Sequence, residues 1–186
     1  MKTQFDVNEI IKSGKIGNEL DYERALIADR KLRVLAKDGP MKKSLRKKLR
    51  DIIEAYEREN WSGQTRISKK KLRESDIAEA IAEKERLFIE RRRELIRDKL
   101  KKHNLTQQDL GAILGHKSKT YMSELMNGIS PFSLKDLVII SRLFGLDLTG
   151  LIPTFLPQKE RLKIKRVIER LHNPELKLSQ DDFVLA

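Results

Sequence analysis

The sequence predicts an all-α chain, and three observations carry that expectation. Charged residues make up 37% of the 186 residues and aromatics 5%, with only 5 Pro and 9 Gly, a composition of long charged helices rather than sheets. Apolar residues recur at three- and four-residue spacing in one stretch after another. Between those stretches stand the residues that stop and start helices, Gly or Pro behind a periodic run and Ser, Thr or Asp ahead of the next.

Taken in order, Asp6 with Glu9 forms a capping-box pattern for a short helix carrying Val7, Ile10 and Ile11 and ended by Gly14. From about Asp21 to Lys37, Ala25, Ala28, Leu32 and Leu35 trace one face, and Lys37-Asp38-Gly39-Pro40 breaks the pattern. Met41 to about Arg58 follows, with Leu45, Leu49, Ile52, Ile53 and Tyr56 on one side. The spacing predicts that these two helices pack as a hairpin. Asn60 to Glu74 loses periodicity and gathers Arg66, Lys69, Lys70, Lys71 and Arg73. It reads as a basic linker, either a solvated loop or a direct nucleic-acid contact. Trp61, the single tryptophan, is either a lid on the hairpin core or an anchor for another protein.

Ser75 is the expected cap of a segment without Gly or Pro up to His103, either one long helix or two with a break near Glu90. Thr106 then caps a short helix with Leu110, Ile113 and Leu114 apolar, and Gly115 stops it. After His116 and Lys117 a second helix is expected from about Ser118 to Asn127, closed by Gly128. Its residues Lys119, Thr120, Ser123, Glu124 and Asn127 share one stripe, while Met122 and Leu125 share the opposite one. One side anchors the helix, and the other offers hydroxyls, an amide and charges of the kind that read base edges. A third helix, Leu134 to Phe144, ends at Gly145. Beyond Pro153 an extended link precedes a basic amphipathic helix, Lys159 to His172. That helix is either a solvated surface or a source of phosphate contacts or dimer surface.

A net charge of +12 and a pI near 9.9 favour a polyanionic partner, because lysines and arginines release counterions from phosphates. No apolar run approaches the roughly 18 residues that span a bilayer, and MKTQFDVNEI lacks the apolar core of a signal peptide. A cytoplasmic protein without membrane partners is expected. With no cysteine there are no disulfides or thiolate metal sites. His103, His116 and His172 stand singly at expected helix ends or turns, where capping or solvent contact is the simplest use. No nucleophile and base pair, Gly-rich phosphate loop, HExxH or calcium loop is visible. Neither catalysis nor a cofactor nor a metal is expected.

The stretch LTQQDLGAILGHKSKTYMSELMNG is a helix-turn-helix pattern. Leu105, Thr106, Gln107, Leu110, Gly115, Ser123, Leu125, Asn127, Gly128, Phe144, Gly145 and Leu151 resemble the Cro/cI-like helix-turn-helix family. Gly111 stands where that family usually has Ala, and the corner is about one residue longer. The wider layout resembles the HigA-type antitoxins of toxin-antitoxin operons. The residues that match are Asp21, Tyr22, Ala25 and Leu26, then Ala55, Tyr56 and Glu57, ahead of the helix-turn-helix.

These resemblances imply a lambda-repressor-like domain behind a helical N-terminal region, with a basic C-terminal helix. They imply a homodimer that binds a palindromic operator of its own operon and neutralises a small basic RNase toxin, HigB-like, that cleaves messenger RNA. The expected division is 1–60 for toxin binding or dimerisation, 61–74 as linker, 75–92 as connecting helix, 93–153 for double-stranded DNA, and 154–186 as extension.

Thr106 and Gln107 are expected to clamp a phosphate. Lys119, Thr120, Ser123 and Glu124 are expected to reach bases, with Lys117, Ser118, Tyr121 and Asn127 split between bases and backbone. A stand-alone repressor, and a protein binding RNA or DNA through charge alone, remain the alternatives.

Overall fold

The computed structural model describes residues 5–35, 40–62, 67–154, 158–173 and 175–176. Every regular element among them is helical, in the order α1 (Val7–Ser13), α2 (Glu19–Leu35), α3 (Pro40–Asn60), α4 (Lys69–Lys102), α5 (Gln107–Leu114), α6 (Lys119–Asn127), α7 (Leu134–Phe144), a 3-10 turn (Leu148–Gly150) and α8 (Gln158–Leu171). The chain divides into two compact units, Met1–Leu151 and Ile152–Ala186.

Asp6 caps α1 through the amide of Asn8 at 2.9 Å, and Gly14 ends it at a left-handed φ of 70°. Helices α2 and α3 form the expected hairpin, with Ala25, Ala28 and Leu32 buried against Leu49, Ile53 and Tyr56. The two motif tyrosines lock it. Tyr22 and Tyr56 stack at 5.0 Å, Tyr22 donates to Glu57 at 2.8 Å and Tyr56 donates to Glu19 at 2.9 Å. Arg46 adds a bidentate pair with Asp29. The turn at 36–39 lies outside the described residues.

Helix α4 departs from the expected linker and cap. It starts at Lys69 under Ser68, whose Oγ accepts the Lys71 amide at 3.2 Å, and runs 34 residues without a break at Glu90. Lysine, leucine, arginine and glutamate are strong helix formers even where no apolar periodicity marks them. Ser75 therefore caps nothing, and its hydroxyl donates to Glu19 at 3.3 Å. Lys71 places its ammonium 4.6 Å from the Trp61 ring centroid, and Trp61 packs against the front core as a lid.

One residue of the front core comes from far along the chain. Ile129, just behind α6, is fully buried among Val7, Ile16, Ala25, Ala28, Leu32, Leu49, Ile53 and Tyr56. Its carbonyl accepts the Val7 amide at 3.1 Å, and Asn8 donates to the hydroxyl of buried Ser130 at 3.1 Å. The front helices and the C-terminal half of the first unit thus share a core through the 129–130 segment.

Arg92 is buried as well, which the run Arg91-Arg92-Arg93 did not announce. Its guanidinium lies 5.3 Å from the Phe132 ring and donates to the Leu151 carbonyl at 3.3 Å. Burial pulls it down to about 10. The second unit contributes α8, whose Leu162, Val167 and Leu171 are exposed and whose Lys165 faces Glu169 at 3.9 Å. The link at 155–157 and the tail from 177 lie outside the described residues.

Candidate nucleic-acid interface

Helices α5 and α6 form a compact corner because each terminus is chemically closed. Thr106 and Asp109 make a reciprocal capping box: the Thr106 hydroxyl accepts the Asp109 amide at 3.2 Å, and the Asp109 carboxylate accepts the Thr106 amide at 2.7 Å. The Thr106 hydroxyl and amide together hold the Asp109 carboxyl below its usual range. The Thr106 amide and hydroxyl are both engaged within this cap, whereas the first-turn amides of Gln107 and Gln108 bond no group of the described residues.

Gly115 turns the chain at φ 82°, and Ser118 caps α6 through the Tyr121 amide at 3.2 Å. Gly111 faces this corner. A Cβ there would lie 2.8 Å from Met122 Cγ and 3.1 Å from the His116 carbonyl, which is why the small residue sits at that position. His116 is half-buried and caps no helix. Its Nε2 lies 3.1 Å from Oδ1 of buried Asp136, which closes the N-terminus of α7 through Ser133, and its ring meets Tyr121 edge-on at 5.2 Å. Of the apolar residues expected inside α5, Leu110 and Leu114 are buried and Ile113 is exposed.

Met122, Leu125 and Met126 form the buried side of α6. The opposite stripe is divided. Lys117, Ser118, Lys119 and Tyr121 are exposed and Thr120 is half-buried. Ser123, Glu124 and Asn127 are also half-buried, and each side chain is engaged from outside α6. Lys42 of α3 reaches Ser123 Oγ at 3.5 Å. Glu124 accepts from Ser130 at 3.4 Å; burial raises its carboxyl, while Ser130 and Lys42 pull the other way. Asn127 donates to the Ser123 carbonyl at 2.7 Å and accepts from Arg93 at 2.8 Å, and Lys31 donates to its carbonyl at 3.2 Å. Burial lowers Lys31 to about 8, with Glu90 opposing and Arg93, Arg86 and Arg92 reinforcing.

An open cleft of about 500 Å³ lies beside this stripe, lined by Arg93, Arg97 and Lys101 of α4, Gln107 of α5, and Met126 and Asn127 of α6. Three cations at steps of four on one helix face, next to the free amides of α5, suit a backbone phosphate. These three residues were missed in the sequence. The i, i+4, i+8 spacing within ERRRELIRDKLKK was the available signal, hidden by the surrounding charge.

Residues 96–151 match the helix-turn-helix family model HTH_3, and no curated protein and no solved structure matches the chain. The first unit therefore carries a Cro/cI-like helix-turn-helix domain, the kind found in DNA-binding regulators of transcription. Among the described residues no helix is long and apolar enough to cross a membrane.

Proposed function

We propose that this chain is a sequence-specific repressor of transcription and, more narrowly, an antitoxin that represses its own operon and neutralises a small basic mRNA-cleaving toxin. The observation that carries the DNA-binding part is the open first turn of α6, Lys117 to Tyr121, standing beside the basic cleft of α4 and the free amides of α5. Lys119 reaches a guanine edge, and each such contact is worth roughly 1–3 kcal/mol of discrimination. Gln107 with Arg97 and Lys101 fixes the register on a phosphate. A homodimer would place two such helices about one turn of duplex apart, roughly 34 Å, on a palindromic site.

The antitoxin part is supported by the front hairpin, where the motif residues Tyr22 and Tyr56 meet in one stack. The stand-alone repressor is favoured by a different observation, the insertion of Ile129 into the front core, which gives the front helices a role in the DNA-binding unit itself.

Two measurements test these readings. Selection from a random duplex pool should enrich one palindromic sequence. Lys119→Ala with Ser123→Ala should then weaken binding to that sequence more than to random duplex. Equal loss on both removes α6 from base reading. Purification from the native cell should bring down a small basic nuclease; purification of the dimer alone leaves the stand-alone repressor.

A further inference from the structure

The densest positive segment of the front half lies against the helix that carries the reading stripe. From Lys42 to Arg50, six of nine residues are basic, and no acid appears before Asp51. Two of the six form ion pairs within the fold, Arg46 on Asp29 and Arg50 on Glu54 at 3.5 Å. Lys42 is 7% exposed, with its ammonium turned onto Ser123 of α6. Lys43, Lys47 and Lys48 are exposed, and no carboxylate among the described residues pairs with them. This end of α3 is held in place next to α6, because the same hairpin buries Ile129 and α1 bonds its backbone.

We propose that the first turns of α3 are a second DNA-contacting element, in which Lys43, Lys47 and Lys48 grip backbone phosphates flanking the base pairs that α6 enters. The inference rests on the DNA-binding reading above and extends it to a part of the chain outside the helix-turn-helix domain. The occupant is duplex DNA because the contact between Lys42 and Ser123 sets these lysines beside a helix whose exposed N-terminal end carries Lys119 and, just ahead of its cap, Lys117. A phosphate backbone running past that helix meets a cationic surface rather than an acidic one. Solvent exposure alone would also suit a run of lysines. The rigid attachment of this run to the loop behind α6 is what gives it a fixed place on a duplex.

The test uses the full chain and a mixed-sequence duplex of about 30 base pairs, with affinity measured from roughly 50 to 300 mM salt. Lys43→Gln, Lys47→Gln and Lys48→Gln are combined. The control combines Lys69→Gln, Lys70→Gln and Arg73→Gln, which removes the same charge at the start of α4, beside the far end of α3 and about 20 Å from residues 43–48 at about 1.5 Å per residue. Circular dichroism and the urea midpoint confirm that both variants keep the fold.

Each lost phosphate contact lowers the slope of log K against log salt by about 0.9, so the α3 variant, which removes three, should lose about 2.7 in slope and bind at least tenfold more weakly near 0.1 M salt. The control should keep the parent slope to within about half a unit. An α3 variant with the control's slope overturns the proposal and leaves the helix-turn-helix reading standing. Tighter binding by the α3 variant overturns it too, and would make the front half a cover over α6. A parent chain that binds no duplex at all removes both readings.

Discussion

Replacing Ile129 by Ala separates two descriptions of the first unit: two halves tethered by α4, or one cooperative body. The side chain is fully buried in a core otherwise built from α1, α2 and α3 and the residue Ile16. Removing three carbons loses about 2.4 kcal/mol of transfer free energy at about 0.8 per buried carbon. The cavity left behind adds about 1 kcal/mol, because the surrounding helices relax only partly. A destabilisation of about 3–4 kcal/mol is therefore expected.

Urea unfolding can be followed by Trp61 fluorescence, which reports the front core, and by hydrogen exchange of the α6 and α7 amides, which reports the helix-turn-helix. Both probes should show the same loss. If the Trp61 transition shifts while exchange in α6 and α7 keeps its parent value, the shared core is refuted. A loss below about 1 kcal/mol on both probes would mean that the site collapses around the smaller residue and that Ile129 joins nothing.

Three further outcomes follow from the geometry. Gly111→Ala should cost about 1 kcal/mol or more in a urea titration, since the new methyl meets Met122 and the His116 carbonyl inside van der Waals distance. Arg97→Gln with Lys101→Gln should flatten the salt dependence of duplex binding by about two units, and an unchanged slope would remove the cleft from the interface. Lys31 is lowered to about 8 by burial, so between pH 8 and its ordinary value near 10.5 the unfolded chain binds more protons than the folded one. Stability should rise with pH across that window, and comparison of urea midpoints at pH 7.5 and 9.5 should show the rise in the parent and not in Lys31→Met.

The helices and the helix-turn-helix were legible because their signals are local. Thr106, Ser118, Gly115 and Gly128 announce their roles within four residues of chain, and the alanine and leucine face of α2 repeats at helical spacing. The start of α4 was missed because Lys69 to Arg73 reads as a charge run, and a charge run carries no periodicity to separate a solvated helix from a loop. The divided stripe of α6 was beyond the sequence for a different reason. Ser123, Glu124 and Asn127 look free when α6 is considered alone. Ser123 and Asn127 meet Lys42, Lys31 and Arg93 of other helices, and Glu124 meets Ser130, whose segment is held by Val7 and Asn8 and by a core that includes Ile129. Arg92 illustrates the same limit, since its two neighbours Arg91 and Arg93 are also arginines and only packing against Phe132 selects it for the interior.

The uninterrupted course of α4 sets a phase relation between its two working surfaces. Ala78, Ile81 and Ala82 are buried in its first part, while Ile96 and Leu100 are buried near its end, within the helix-turn-helix domain. Because each residue advances the winding by about 100°, adding one between Glu90 and Glu94 would swing the second surface by that angle against the first. Ile129 would be carried out of the pocket it fills. Restoring the phase is not enough, because about seven added residues bring the two surfaces back to within about 20° but lengthen the strut by about 10 Å, so insertions of either kind should loosen the shared core.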